Sequence, residues 1–276
     1  MINLKTKHEI DLMARAGRLL ASVLPPLTAA CEPGTKTIEL DEIADKLIRA
    51  GDATPGFLGY HGFPRSICVS INDEAVHGIP GNRKIAAGDL VSLDLGLVLE
   101  GFWADVGITV GVGDVTPEAR RLIKVTEEAL YVGIAKAQPG GWLGDVSSAI
   151  QRHVEAAGFS VIRQFVGHGI GRQMHEDPQV PNFGQPGTPP RLKPGMTLAI
   201  EPMVNAGSYE VYMKPDGWTI CTADGSLSAY FEHTVAITEA GPLILTALKS
   251  ANGHGPSPRS GEVGEAPSPP GGEVGA

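Results

Sequence analysis

Two apolar runs flanking one tight turn constrain this chain more than any other feature. DLVSLDLGLVL (89–99) and GFWADVGITV (101–110) are rich in Val, Ile and Leu and meet at Glu100-Gly101. They read as neighbouring strands over 90–99 and 102–110. An antiparallel hairpin with an even-numbered loop pairs residues whose numbers sum to an odd value. Asp94 and Asp105 therefore project from the same face of adjacent strands. Two aspartates on one otherwise apolar face repel each other and are costly to desolvate unless a cation lies between them.

A single aspartate in a strand is ordinarily a solvated edge residue. That reading weakens when three further residues join the pair. Glu201 closes the apolar strand MTLAI and is followed by Pro202, which ends the ladder. Glu232 lies inside the strand-like run AYFEHTVAI, and His168 stands in GHGIG, where flanking glycines let the backbone approach a site closely. Four carboxylates and one imidazole suit hard or borderline divalent ions such as Mn, Co, Fe or Zn. Five residues exceed the needs of one ion, so carboxylates bridging two ions are the economical arrangement.

SICVSINDEAVHGIP (66–80), the Asp94/Asp105 pair, GHGIGRQMHEDPQVPN (167–182), LKPGMTLAIEPMVNAG (192–207), KPDGWT (214–219) and SLSAYFEHTVAIT (226–238) together closely resemble the bacterial-type methionine aminopeptidases. The resemblance runs from about residue 3 to about residue 248. It is specific because the ligands, their neighbours and their spacings all agree. It implies the pita-bread fold, an α/β (α+β) arrangement of two pseudo-twofold-related halves, with an antiparallel sheet, flanking helices and a dimetal site between the halves. The Glu201–Glu232 interval has no room for the helical insertion of the type II enzymes, so the resemblance is to type I.

The resemblance also implies roles. Two divalent ions, bound by Asp94, Asp105, His168, Glu201 and Glu232, would activate a water near neutral pH and hold the substrate's free amine. Glu201 is the candidate for moving the water's proton to the leaving amine. His175, seven residues after His168, is the candidate donor to the oxyanion, and His77 resembles the second catalytic histidine, which contacts the scissile amide. Phe57, Tyr60, Phe63, Cys68, Met174 and Trp218 match the pocket for the methionine side chain, where aromatics and sulfur suit a flexible thioether. Phe57 stands where many bacterial members carry cysteine, and Met174 where an aromatic is frequent. The implied substrates are nascent-chain N-termini after deformylation with a small second residue, and the ribosome is a further implied partner. His8, His61, His153, His233 and His254 carry no such context and read as surface or packing residues.

Composition agrees with this reading. Lys+Arg 22 against Asp+Glu 31 gives a net charge of −9, which argues against a general nucleic-acid binder. Cys31, Cys68 and Cys221 are odd in number and lack CxxC spacing, which speaks against a disulfide framework or a zinc ribbon. MINLKTKHEI has no apolar signal segment, and no 18-residue apolar stretch occurs, so a cytoplasmic monomer away from membranes is expected. No GxSxG elbow is present for a serine hydrolase, and GVGDV (111–115) lacks the setting of a phosphate-binding loop.

Along the chain, a helix is expected over 6–23, stopped by Pro25-Pro26, and a second over 35–50 with Thr37 as N-cap. Further helices are expected from Pro117 to about Ala137 and over about 145–157. Strands are expected near 66–71, 160–166, 196–201, 209–213, 218–221 and 230–237, with two similar halves meeting near residue 130. Residues 1–249 read as the catalytic domain. The Pro/Gly/Ser/Glu-rich stretch 250–276 has too few apolar side chains to offset its ordering entropy and is expected to be disordered. Two other readings stand: a proline-directed peptidase of the same fold, which usually carries a large additional N-terminal domain, and a non-catalytic protein that kept the scaffold. Only 65 residues precede SICVS, and a scaffold protein would be expected to lose ligands.

Overall fold

The computed structural model describes residues 1–247, so the expectation for 250–276 lies outside the described residues. The first half opens with helices α1 (Lys7–Ala30) and α2 (Thr37–Ala50). Strands β1 (Thr54–Pro55), β2 (Ile67–Ile71) and β3 (Glu74–Val76) follow, then the long hairpin β4 (Leu90–Leu99) and β5 (Phe102–Gly111). The second half repeats the order, with helices α3 (Pro117–Lys136) and α4 (Leu143–Ala156) ahead of short strands β6 (Ser160–Val161), β7 (Gly167–Gly169), β8 (Glu176–Val180) and β9 (Thr197–Ile200). It ends with β10 (Met203–Asn205), β11 (Val211–Met213), β12 (Ile220–Thr222), β13 (Ser228–Tyr230), β14 (Glu232–Thr238) and β15 (Gly241–Ile244).

The main sheet runs β1-β4-β5-β14-β9-β7-β8, with β2 added to β4 and β15 to β14, and all its pairings are antiparallel. The two halves join where β5 meets β14. Alternation fixes which face each residue serves. On β4, Val91, Leu93, Leu95 and Leu97 are buried in a core with Leu20 and Leu27 of α1 and Leu40 and Ile48 of α2. On β14, Val235 and Ile237 join Leu122 and Leu130 of α3 and Val146 and Ile150 of α4. The helices thus cover one face, leaving Asp94, Asp105 and Glu232 on the other.

Several expectations need correction. The halves divide at the turn between β5 and α3, residues 112–116, rather than near residue 130, because the two cores separate there. Helix α1 continues through Pro25 and Pro26 to Ala30. Both prolines face solvent, and buried Val23, Leu24 and Leu27 hold the last turns against the core. Thr37 is the first residue of α2 rather than its cap. Its hydroxyl bonds Gly81, accepting from the Gly81 amide at 2.8 Å, and Glu39 accepts from the Lys36 amide at 3.3 Å. The expected strand 160–166 shrinks to two residues, and 230–237 breaks at Phe231 into β13 and β14. The Glu201–Glu232 interval contains strands and turns and no helix. No helix among the described residues is long and apolar enough to cross a membrane.

Candidate metal centre and substrate pocket

Strand register assembles the acidic cluster. Asp94 on β4 pairs with Gly107 on β5, and Gly107 pairs with Glu232 on β14, so the two acids flank one glycine in a row across three strands. His233 pairs with Ile200, so the next step of the ladder sets Glu201 opposite Glu232. Two residues along, Asp105 bonds Thr234, which pairs with Ala199, which pairs with His168 on β7. The five residues thus occupy two adjacent rows on one face. Gly107 is required at the crossing: a Cβ there would lie 2.1 Å from the ring of Tyr230, whose hydroxyl donates to Glu232. His168 stands in strand β7. A Cβ on Gly167 would meet the Ala199 carbonyl at 2.4 Å, so the glycine permits the close approach of β9.

Ligand-capable atoms of Asp105, His168 and Glu232 all lie within 4.8 Å of one another. Glu201 Oε1 lies 3.6 Å from His168 Nε2. Asp105, His168 and Glu232 are only 2%, 7% and 1% exposed. Burial drives the Asp94 carboxyl up to about 7. Burial, then the mutual repulsion of these acids, raises Asp105, Glu201 and Glu232 well above the usual carboxylate range. Burial lowers the His168 imidazole to about 4, leaving it neutral with a lone pair to offer.

Asp94 Oδ1, Asp105 Oδ1 and Glu232 Oε1 are buried without a hydrogen-bond partner, and among the described residues no Lys or Arg forms an ion pair with any of the three. Bare buried carboxylate oxygens facing one another are very costly. The donor set therefore fits divalent cations, with oxygen ligands and one neutral imidazole.

Beside the cluster opens a cavity of about 180 Å³ lined by Phe57, Phe63, Cys68, Met174 and Trp218, with Asp94, His77 and His175 among its walls. Phe63 and Trp218 meet edge to face, their ring centroids 5.0 Å apart. His77 has a left-handed φ of 59°, a conformation that a non-glycine residue holds where its surroundings enforce it, and its ring meets Phe165 edge to face. The His175 ring lies 4.3 Å from that of His168. Every residue expected at the site from the sequence is thus in the cluster or in the cavity beside it.

Other site residues escaped the sequence reading. Tyr230 holds Glu232, Thr234 brackets the Asp105 backbone, and Asn182 donates to the Glu201 carbonyl at 2.8 Å. Tyr230 and Thr234 sit two residues either side of Glu232, and strand alternation is the signal that could have found them. His61, read as a surface or packing residue, lines the mouth of the cavity. His233 does prove to be packing: its Nδ1 bonds Thr246 at 2.9 Å, pointing away from the acids beside it. The three cysteines are free and buried.

Residues 11–239 match metallopeptidase family M24. A methionine aminopeptidase of Clostridium perfringens is 54% identical over 249 residues, covering 90% of this chain and 100% of the relative. The chain belongs to metallopeptidase family M24, among the methionine aminopeptidases. Methionine aminopeptidase 1 of Bacillus subtilis is 51% identical over 90% of this chain and 100% of its own length. The crystal structure of a methionine aminopeptidase from Thermotoga maritima superimposes with a TM-score of 0.88 at 45% identity, over 89% of this chain and 99% of that one. The family's pita-bread fold is the antiparallel sheet with paired helices described above, and its members are metal-dependent.

Proposed function

We propose that this protein removes the N-terminal methionine from proteins whose second residue is small, using two divalent ions held by Asp94, Asp105, His168, Glu201 and Glu232. The observation that carries this reading is the contact between two environments: Asp94 belongs both to the acidic cluster and to the wall of the aromatic and sulfur-lined cavity. A side chain seated in that cavity brings the first peptide bond to the cluster. Phe57, Tyr60, Phe63, Cys68, Met174 and Trp218 receive an unbranched apolar side chain and exclude water from it. Divalent metal bound to the cluster supplies an activated water and an anchor for the chain's free amine.

Glu201, ionised once metal is bound to the cluster, accepts the attacking water's proton and passes it to the leaving amine. His175 donates to the oxyanion and His77 to the scissile amide. Both imidazoles have lowered pKa values, chiefly through burial, and act as neutral N–H donors. A groove of about 560 Å³ lined by His168, Gln173, His175 and Gln179 is the path for the peptide beyond its first residue. The metals are Mn, Co, Fe or Zn, and the substrates are deformylated nascent chains, met in the cytoplasm as they leave the ribosome by a monomeric enzyme.

Cleavage rates test the substrate assignment. With Mn or Co restored after chelation, kcat/KM should be highest for Met-Ala-Ser and lower for Leu-Ala-Ser. A mismatch of one methylene is worth only ~1–3 kcal/mol, so the leucine peptide should be slow rather than inert. Formyl-Met-Ala-Ser should resist, having no free amine, and Met-Lys-Ser should resist at its second residue. Efficient hydrolysis of the formylated peptide, or preference for Ala-Pro peptides, would overturn the assignment in favour of another specificity on this fold.

The histidine roles have their own test. His175→Ala should lower kcat by ~10²-fold or more while metal stays bound, the usual cost of removing one oxyanion donor. His77→Ala should behave similarly. Metal loss on elemental analysis of either variant would make that residue a ligand, and an unchanged kcat would make it structural.

A further inference from the structure

Tyr60 differs from the other pocket walls in what its polar end does. Its hydroxyl lies 2.7 Å from Nδ1 of His175. The residue occupies a short turn, Tyr60–Gly62, between β1 and β2. Trp103 meets its ring edge to face at 5.7 Å, and His61 meets it on another side at 4.4 Å. The phenol is therefore fixed in place before any substrate arrives.

The direction of the bond follows from the groups. Burial raises the Tyr60 hydroxyl above its usual range, so it is protonated at neutral pH. A phenol is a good donor, and an imidazole nitrogen lone pair accepts more strongly than a phenol oxygen. The other ring nitrogen, Nε2, is then the one that carries hydrogen. His175 lines the cavity wall beside the acidic cluster, where an N–H is needed and a lone pair would repel a developing oxyanion.

We propose that Tyr60 is a positioning residue: its hydroxyl donates to Nδ1 of His175, holds the imidazole as the Nε2–H tautomer and aims that N–H at the reacting carbonyl. This rests on His175 being the oxyanion donor and names the group that makes it one. Tyr60 therefore serves both halves of the site, with its ring as a wall of the cavity and its hydroxyl as an orienting group. A phenylalanine would keep the first role and lose the second.

The test uses metal-loaded Tyr60→Phe, His175→Ala and the double variant, assayed on Met-Ala-Ser. Tyr60→Phe should lower kcat by roughly 10–100-fold, the range seen when a partner orienting a site ligand is lost, with KM within about twofold of wild type. In the His175→Ala background the same change should have no further effect. Nitrogen-15 spectra of the zinc-loaded protein should show a single Nε2–H tautomer for His175 in the wild type and a mixture in Tyr60→Phe. A wild-type kcat in Tyr60→Phe, a defect confined to KM, additive losses in the double variant, or the same tautomer in both proteins would overturn the proposal. If His175→Ala itself keeps wild-type kcat, the donor role of His175 fails instead.

Discussion

Asp105→Asn should lose turnover and metal together, while its metal-free form should be more stable than the metal-free wild type. Both effects follow from one oxygen. Asp105 is 2% exposed, and its Oδ1 is buried without a donor. Its backbone is fixed independently by Thr234, which accepts from the Asp105 amide at 2.9 Å and donates to its carbonyl at 2.8 Å. The nearly isosteric amide leaves those bonds and the β4–β5 register intact. What changes is the charge: one negative ligand disappears, and an N–H donor turns toward Glu232 and His168. Loss of a partner merely supporting a ligand costs about 10–100-fold in metal affinity, so loss of the ligand's charge should exceed that. Without metal the same substitution removes a buried carboxylate raised first by burial and then by Glu232, and stability should increase. Elemental analysis and turnover of Met-Ala-Ser measure the first effect, and melting after chelation measures the second. Wild-type turnover with wild-type metal content would remove Asp105 from the ligand set.

The parts of this site that were legible in the sequence are those set by local periodicity. Placing Asp94 and Asp105 on one face needed only two apolar runs, a short turn and strand alternation. Glu201 was legible because Pro202 ends its ladder, and Glu232 because it interrupts an apolar run. What the sequence left hidden depends on distant segments meeting. Strand β7 has three residues, two of them glycine, and no strand propensity of its own; it is a strand because β8 and β9 supply partners on both sides. The bond between Tyr60 and His175 joins residues 115 positions apart, and no local pattern announces it. Helix α1 ignored its two prolines because burial of Leu24 and Leu27 outweighs two lost backbone bonds. The boundary between the halves was misplaced for a related reason: α3 belongs to the second core through Leu122 and Val125, which the helix pattern alone cannot assign.

The metal-free protein should lose stability as pH rises above 6.5, and bound metal should abolish that loss. The buried histidines act at low pH. His77, His168 and His233 are each held down to about 4 by burial, against an ordinary value of 6.5. An unfolded chain takes up protons on these groups below pH 6.5 that the folded chain refuses, so they destabilise the fold as pH falls from 6.5 toward 4. The acidic cluster acts in the opposite sense. Asp94 is raised from 3.8 to about 7, and Asp105, Glu201 and Glu232 are raised well above the usual carboxylate range. Here the folded chain holds protons that the unfolded chain has released, so stability falls as pH rises, from about 4 upward until the folded groups titrate. Between 4 and 6.5 the two trends oppose each other; above 6.5 only the carboxylates remain. One such group costs about 1.4 kcal/mol per pH unit while it stays protonated in the fold and ionised outside it. For a domain of this size that is roughly 3–6 °C in Tm per pH unit. Divalent metal replaces those protons, so its binding at pH 7 should release protons and leave Tm nearly level from pH 6.5 to 8.5. Melting curves after exhaustive chelation and after metal restoration make the comparison. A metal-free Tm that rises across this range, or a pH slope that metal leaves unchanged, would mean that the carboxylates do not form one mutually repelling buried cluster.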